Sequence, residues 1–373
     1  MVNEERLVGL FKKLCLIDAP ALRERESVDF VKGHLAAMGL DVREDGAGGK
    51  IGGNANNVIA VLKGDVPGAP RIFFSAHFDT VEPTAGLVIE ERNGVLYSAS
   101  DTILGADDKA GMAPAIEAVQ SLIESGEKHG DVVLLFSVAE EIGLLGAEAL
   151  DVSGLGLDFG YVLDTGPPVG SFVTRTATHD KIDVVIHGKP AHSGKNPEDG
   201  ISALEVAADA ISRMRLGRID DETTANFGLI QGGSAVNVVP AMVKLRGEAR
   251  STSVEMLDAQ VDHMIQEFER AASERGATVV IEHHRHYSSY SIPDDSPVVR
   301  HAVAASMAMG FDPALRTTLG GSDANVYNAK GVPTIVVATG MDKIHTHDEL
   351  VSVKDLVDTA KLCRGIVAKA AGV

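Results

Sequence analysis

Short apolar runs that alternate with helical patterns constrain the fold of this 373-residue chain more than any other feature. Four such runs precede residue 165: NVIAVL (57–62), RIFFSA (71–76), VVLLFSV (132–138) and YVLD (161–164). Mostly continuous apolar residues are typical of strands buried on both faces. Helical patterns accompany these runs at 3–16, 24–39 and 109–124. This order predicts an α/β fold whose sheet is covered by helices on both faces.

The middle of the chain follows a different order, which predicts a second, inserted domain. From 180 to 291 the patterns are strand 181–188, helix 201–215, strands FGLIQGG and AMVKLRGEAR, helix 254–275 and strand 277–283. This βαββαβ order is that of a ferredoxin-like domain, with a four-stranded sheet and two helices on one face. The α/β pattern then returns, with helices 297–309, 323–330 and 353–371 and strand 333–339. We therefore predict one mixed-sheet α/β domain at 1–179 and 292–373, interrupted by a ferredoxin-like domain at 180–291.

Composition and charge disfavour several classes of partner. The chain has 34 Lys and Arg against 53 Asp and Glu, a net charge of −19, and no basic stripe, so nucleic acid and anionic membrane surfaces are poor partners. The sequence contains no stretch of about 18 uncharged apolar residues, so no membrane span is predicted. The charged N-terminal segment predicts an amphipathic helix and not a signal peptide. Cys15 and Cys363 lack metal-binding or redox spacing, which favours a reduced cytoplasmic protein.

Acids and a histidine follow three of the predicted strands at the point where each strand ends. In FFSAHFDTV the strand is followed by His77 and Asp79, and in VVLLFSVAEE by Glu140 and Glu141. In YVLDTG the apolar run ends at Asp164. Each has an ordinary explanation, because acidic residues are common in turns and in the first turn of a helix. However, binding sites of open α/β sheets lie outside the carboxyl ends of the strands. This shared location favours one functional site over several separate accidents.

Two further segments contribute the same kinds of side chain. LGADDKAG places Asp107 and Asp108 at the start of a helix, where Asp is also a common N-cap, and IHTHDE supplies His345 and His347. Imidazoles and carboxylates together form a nitrogen and oxygen ligand set suited to zinc, manganese or cobalt. In the sequence His-x-Asp, the carboxylate can accept a hydrogen bond from the second ring nitrogen of a metal-binding histidine. We expect a metal centre at this edge of the sheet.

These motifs, in this order, resemble those of M20 family metallopeptidases, and most closely those of peptidase T-like tripeptide aminopeptidases. SAHFDTV, LGADDKAG, AEEIGLLGA, VLDTG, GGSDAN and HTHDE follow the family order across nearly the whole chain. The resemblance implies two divalent metal ions, Zn²⁺ above all, with Mn²⁺ or Co²⁺ as alternatives. By this similarity His77, Asp107 and Asp164 would hold one ion. Asp107, Glu141 and His345 would hold the other.

The family pattern also selects between neighbouring candidates. Asp107 is preferred because the bridging aspartate of the family lies two residues before a lysine, here Lys109. In the family the peptide bond after this aspartate is typically cis. His345 is preferred over His347 because the family histidine precedes its glutamate by four residues.

The resemblance implies further catalytic and substrate-binding residues. Glu140 would be the general base that takes a proton from the attacking water and returns it to the leaving amine. Asp79 keeps the role that the His-x-Asp pattern predicts, which is to orient His77. His192, in GKPAHSGKNPEDG, would stabilise the oxyanion in the active site of a partner subunit. This role implies a homodimer, and we expect the inserted domain to be its lid and dimerisation domain, with contacts along an exposed sheet edge. The candidate substrate-binding residues are Asn237, Arg250 as a fork for a peptide carboxylate, and Gly320, Gly321 and Ser322 as a backbone cradle.

The function that these features favour is hydrolysis of the N-terminal peptide bond of short peptides, tripeptides above all. Two alternatives remain open within the family: a carboxypeptidase-like enzyme and an N-acyl amino acid amidohydrolase. Asp164 favours the aminopeptidase, because carboxypeptidase-like members tend to have Glu at this position. A non-catalytic metal-binding protein is less favoured, because such a protein has no need of a base at Glu140. The run HHRH (283–286) is interpreted as solvated surface.

Overall fold

The computed structural model describes all 373 residues and contains sixteen strands and ten α-helices. The strands are β1 Asp41–Glu44, β2 Val58–Leu62, β3 Ile72–His77, β4 Ile89–Arg92, β5 Val95–Ser98, β6 Val132–Ser137, β7 Phe159–Val162, β8 Ser171–Thr176, β9 Thr178–His187, β10 Gly217–Arg218, β11 Thr223–Gly232, β12 Met242–Ser251, β13 Thr278–Tyr287, β14 Ala314–Thr318, β15 Thr334–Val337 and β16 Leu350–Ser352. The helices are α1 Glu4–Leu16, α2 Arg25–Ala37, α3 Ala47–Ile51, α4 Ala106–Ser125, α5 Leu145–Ala149, α6 Ala203–Arg213, α7 Val254–Arg275, α8 Pro297–Ala308, α9 Asp323–Ala329 and α10 Val353–Ala371.

The first of two compact units is built on an eight-stranded mixed sheet. It consists of Met1–Thr174, Tyr290–Thr317 and Ser322–Val373. The strand order is β1-β2-β6-β3-β7-β15-β8-β14, and β6, β3, β7 and β15 are parallel neighbours. Because parallel strands end at the same edge of a sheet, the chain segments that follow these four strands lie side by side. A small sheet of β16, β5 and β4 completes the unit.

Helices cover both faces of this sheet, as the continuous apolar runs predict. Every residue of β3 and β6 is buried. Phe73 and Phe74 are consecutive in β3 and therefore point to opposite faces. Phe73 contacts the ring of Tyr327 in α9, whereas Phe74 stacks on Tyr161, whose hydroxyl donates to the carbonyl oxygen of Val298 in α8. The sheet is thus an inner layer of the unit.

The long elements follow the sequence prediction closely, and the short ones do not. The helix predicted at 109–124 begins three residues earlier, and the strand predicted at 161–164 is Phe159–Val162. Asp164 therefore lies two residues beyond the end of β7. No predicted strand corresponds to β1, β4, β5, β8, β10, β14 or β16. Polar residues interrupt these short strands, as in IEER and VLYS, so they lack an apolar run.

The second compact unit consists of Arg175–Ser289 and Thr318–Gly321. Its antiparallel sheet has the order β10-β11-β12-β9-β13, and the four long strands and two helices follow the βαββαβ order. Ile182, Val184 and Ile186 alternate along β9 and share a core with α6 and α7. The sequence-based domain, 180–291, starts five residues after Arg175 and ends two after Ser289, and it does not include the segment Thr318–Gly321. The role of this unit as a lid stays a prediction.

Two other sequence-based expectations concern membrane spans and cysteines. None of the helices combines the length and the apolar composition that crossing a membrane requires. Cys15 and Cys363 are both buried free thiols.

Candidate active site

The loops after the central strands bring the five proposed metal ligands together in the first unit. His77, Asp107 and Asp164 form one group of potential ligands, and Asp107, Glu141 and His345 form a second. Within each group the ligand atoms lie within 4.8 Å of one another. Asp107 belongs to both groups and could bridge two cations. His77 ends β3, while Glu141 and Asp164 lie in the segments that follow β6 and β7.

The hydrogen bonds of His77 leave one ring nitrogen available as a metal ligand. Nδ1 lies 3.0 Å from the main-chain oxygen of Asp79, and because a carbonyl oxygen can only accept, Nδ1 carries the proton. In the neutral ring Nε2 then presents a lone pair to Asp107 Oδ1, 3.2 Å away. Two acceptors that face each other at this distance repel unless a proton or a metal ion lies between them. The arrangement therefore fits a metal ion.

The second group shows the same crowding of acceptors around a single nitrogen. His345 Nε2 lies 3.1 Å from Asp107 Oδ2 and 3.2 Å from Glu141 Oε1, although it can carry only one hydrogen. The two carboxylates raise the pKa of His345 to about 10. Contacts with His345 and His77 outweigh the effect of burial and lower the pKa of Asp107. A divalent cation would satisfy the same nitrogen and both carboxylates.

Buried carboxylates without a neutralising partner are a further feature that fits bound cations. Burial raises the pKa of Glu140 well above its usual range, and the charge of Asp164 adds to this effect. Burial and the charge of Asp107 likewise raise the pKa of Asp164. Like charges packed in a buried site favour the protonated forms unless a cation is present.

Neighbouring residues support the backbone around Asp107. The peptide bond between Asp107 and Asp108 is cis, as the family pattern predicts. Glu349 is fully buried, and its two carboxylate oxygens accept hydrogen bonds from Gly105 N at 2.7 Å and from Asp107 N at 2.9 Å. Asp108 accepts from the backbone N–H groups of His77 and Gly111, so its carboxylate supports the backbone. It belongs to neither ligand group.

The second histidine of HTHDE has a separate environment. His347 lies between two acids, with Nε2 3.0 Å from Glu82 Oε1 and Nδ1 3.2 Å from Asp101 Oδ1. All three side chains are largely exposed. His347 is absent from both ligand groups, which is consistent with the preference for His345.

The carboxylate of Asp79 contacts the backbone of the glutamate pair more closely than it contacts the ring of His77. The His-x-Asp pattern predicts a hydrogen bond from the histidine ring to this carboxylate, but Oδ1 is 3.6 Å from His77 Nδ1. Instead Oδ1 accepts from Glu140 N at 2.9 Å and Oδ2 from Glu141 N at 3.0 Å. The turn after β6 folds back onto Asp79, so two backbone N–H groups lie closer to the carboxylate than the histidine ring does. Asp79 therefore orients Glu140 and Glu141 through their backbone.

The remaining candidates, except Ser322, lie in the second unit. His192 and Asn237 are exposed and occupy adjacent segments, since His192 forms a β-bridge with Val238 and Ser193 N donates to Asn237 O. The structure therefore brings His192 and Asn237 together within this unit.

Arg250 is already engaged by neighbours in the second unit. Its Nε and one terminal nitrogen donate to both carboxylate oxygens of Glu248, at 3.2 and 3.0 Å. Its other terminal nitrogen is 3.4 Å from Tyr287 Oη and 3.3 Å from Leu319 O. One of its five N–H donors is left without a protein acceptor. A substrate carboxylate that binds in a bidentate manner would have to replace one of these contacts.

The predicted backbone cradle is divided between the two units. Gly320 is exposed, whereas a Cβ atom at Gly321 would lie 2.2 Å from the ring of Tyr287, so packing within the second unit requires glycine there. Ser322 belongs to the first unit and caps α9, because its side chain accepts from Ala324 N. In HHRH, residues 283–285 are exposed as predicted, but His286 is half-buried beside His179.

Comparison with known proteins decides the family. The sequence pattern of peptidase family M20/M25/M40 matches residues 73–369, about four-fifths of the chain and all of the proposed site. The chain belongs to this peptidase family. The resemblance derived from the motifs is therefore confirmed.

Similar proteins span the full length of the chain. It is 41% identical over 371 residues to the uncharacterized protein YqjE of Bacillus subtilis (strain 168), with 100% of both chains covered. The structure of aminopeptidase PepT from Bacillus cereus ATCC 10987 is 39% identical, with a TM-score of 0.90 and 99% of each chain covered. A tripeptidase from Staphylococcus aureus subsp. aureus mu50 is 36% identical, with a TM-score of 0.94 and 100% of each chain covered. These similarities confirm the α/β fold and the likeness to peptidase T.

Proposed function

We propose that this peptidase is a dimetal aminopeptidase that removes the first residue of short peptides, tripeptides above all. The observation that carries the proposal is the pair of ligand groups that share Asp107, with the buried carboxylate of Glu140 next to Glu141. The similar structures, described as an aminopeptidase and a tripeptidase, support the choice of substrate.

The proposed ligands suit two divalent ions, and zinc is the first choice for this set of imidazoles and carboxylates, with manganese or cobalt as alternatives. His77, Asp107 and Asp164 would hold one ion, and Asp107, Glu141 and His345 the other. Bound ions of this kind lower the pKa of water and polarise a carbonyl group.

The protein itself supplies the proton transfer. Glu140 would take a proton from the attacking water and deliver it to the leaving amine. Asp79 holds the backbone of Glu140 and Glu141 with one carboxylate oxygen each, so the base and the adjacent ligand keep a fixed separation. Both carboxylates are therefore oriented before substrate binds.

Substrate recognition is assigned to both ends of the peptide. A short carboxylate at Asp164 leaves room and negative potential near the substrate ammonium. Arg250 would bind the peptide carboxylate, with Asn237 and the backbone of Gly320 and Gly321 as further contacts. Ser322 contributes backbone only, because its hydroxyl caps α9.

A substrate panel tests the proposed function. Purified protein supplied with Zn²⁺, Mn²⁺ or Co²⁺ should release the first residue of tripeptides faster than it cleaves dipeptides or N-acyl amino acids. Product release is measured by chromatography of the free amino acids. Preferential cleavage of N-acyl amino acids would replace the proposal with the amidohydrolase alternative. No cleavage of any substrate by metal-loaded protein would favour a non-catalytic protein.

We also propose a cytoplasmic homodimer formed through the second unit. One edge of β11 pairs with β12, and the other edge pairs with β10 only at Thr224 and Ala225. The later residues of β11 therefore have no strand partner on this outer edge. Leu229 and Ile230 in this edge are 56% and 54% exposed. An open apolar strand edge is suited to pairing with the same edge of a second copy.

Replacement of His192 by alanine should lower kcat by roughly 10²–10³-fold, which is the usual effect of removing one oxyanion donor. If the donor comes from the partner subunit, a mixture with inactive Glu140→Gln should regain activity. Each hybrid dimer would then combine an intact Glu140 with an intact His192. The measurement is kcat of the mixture after subunit exchange, with exchange verified by mass-tagged subunits. No recovery in a mixture that exchanges would contradict donation between subunits.

A further inference from the structure

The turn that carries the two glutamates is held by side chains from distant segments. Backbone N–H groups of four consecutive residues, 138 to 141, each donate to a side-chain oxygen. The acceptors are Asn57 for the first, Glu24 for the second and Asp79 for the last two, with distances of 2.9–3.1 Å. Side chains from three distant segments thus hold each residue of this turn.

Ala139 is the residue in this turn whose conformation most needs support. Its φ is 53°, in the left-handed region that residues with a Cβ atom seldom occupy. This conformation is unfavourable for alanine because its Cβ lies too close to the following carbonyl oxygen. Its N–H donates to Glu24 Oε1 at 2.9 Å, and its carbonyl oxygen accepts from Leu145 N at 3.1 Å. The residue that follows it is Glu140.

Glu24 is placed so that this contact is its main long-range interaction. Glu24 directly precedes α2, and its side chain is 1% exposed and forms no ion pair. Oε1 accepts from Leu22 N and Ala139 N, whereas Oε2 is buried without a hydrogen-bond partner. Burial raises the pKa of Glu24. Burying a carboxyl group with one unpartnered oxygen is unfavourable, so its position needs a compensating role.

We propose that Glu24 is a positioning residue of the active site. Its carboxyl oxygen holds Ala139 in the left-handed conformation and thereby sets the direction in which Glu140 and Glu141 leave β6. Asp79 accepts from the N–H groups of Glu140 and Glu141, which come next in the chain. Glu24 accepts from Ala139, the residue at which the chain changes direction. The role of Glu24 rests on the proposed function of Glu140 and Glu141. A displacement of about 1 Å at a reacting group can lower the rate 10²-fold. Loss of the hydrogen bond at Ala139, one residue before Glu140, could therefore lower the rate measurably.

Three substitutions at Glu24 separate hydrogen bonding from charge. Glu24→Gln keeps an oxygen at the position of Oε1 and should retain most of kcat. Glu24→Asp keeps the charge but is shorter by one methylene, and it should lower kcat about as much as Glu24→Ala, by roughly 10–10²-fold with little change in KM. The control is Glu117→Ala, which removes another buried carboxylate that accepts a backbone N–H, from Asn3 at 2.7 Å. It should lower thermal stability but leave kcat unchanged.

Cobalt binding supplies a second readout that does not depend on hydrolysis. The visible absorption of protein titrated with Co²⁺ alone reports the ligands of the ion. In Glu24→Asp and Glu24→Ala the spectrum should change and Co²⁺ affinity should fall by about 10–10²-fold, because Glu141 is displaced. Glu24→Gln and Glu117→Ala should give the wild-type spectrum. If the wild-type protein hydrolyses no peptide, the proposed function fails, but these spectra still decide the role of Glu24.

The pattern across the variants decides the proposal. Wild-type kcat and a wild-type cobalt spectrum in folded Glu24→Asp would overturn it. Equal losses of kcat in Glu24→Gln and Glu24→Ala would also overturn it. The negative charge of Glu24, and not its hydrogen-bond acceptor for Ala139 N, would then be the required property. Should Glu24→Ala fail to fold, the comparison of Glu24→Gln with Glu24→Asp gives the same decision.

Discussion

Replacement of Glu140 by glutamine should lower kcat for tripeptide hydrolysis by roughly 10²–10⁴-fold, while the protein still binds two metal ions. Glutamine has nearly the same shape as glutamate, so the hydrogen bond from the backbone N–H of residue 140 to Asp79 should persist. Its amide cannot accept a proton from water, however, and the proton transfer step is lost. The measurements are kcat under saturating peptide and the metal content after dialysis.

The neighbouring glutamate provides the matched control for this prediction. Glu141→Gln makes the same chemical change one residue later, at the side chain whose Oε1 lies 3.2 Å from His345 Nε2. It should weaken the binding of one metal ion, and added metal should restore part of its activity. Loss of metal from Glu140→Gln, together with full metal content in Glu141→Gln, would show that the two roles are exchanged.

The strand ends explain why so much of the candidate site could be predicted from the sequence. β3 and β6 are continuous apolar runs, and the polar residue that ends such a run marks the edge of the sheet. The sequence therefore predicts His77, Glu141 and Asp164 at one edge, and this prediction does not depend on the strand order. Asp107 follows no such run, and His345 lies eight residues beyond the end of β15, so only the family pattern selects these two residues.

The contacts that support the site could not be predicted, because they join residues far apart in the sequence. Glu24 lies 115 positions from Ala139, and Glu349 lies 242 positions from Asp107. Glu24 precedes an amphipathic helix, where an acid would ordinarily be solvated. For Glu349 the only available indication was its spacing from His345. Buried carboxylates that accept backbone N–H groups leave no local pattern in the sequence.

N-acetylation of a tripeptide should abolish its cleavage, and this is the second large effect that we expect. The proposed site reads the free α-ammonium group, for which Asp164 supplies nearby negative potential. An acetyl group removes the positive charge and adds bulk at the end of the substrate that must fit beside the site. The test compares a tripeptide, its N-acetyl form and its C-terminal amide at equal concentration, with kcat and KM measured for each.

The amide separates recognition of the two ends of the peptide. Amidation removes the carboxylate proposed to bind Arg250 but leaves the scissile bond unchanged, so it should mainly raise KM. Arg250→Ala should raise KM for the free tripeptide and have much less effect on KM for the amide, because the amide lacks the charge that Arg250 would bind. Loss of kcat without a change in KM on amidation would contradict this role of Arg250. If the N-acetyl peptide is cut as well as the free one, the aminopeptidase proposal is wrong and the N-acyl amidohydrolase replaces it.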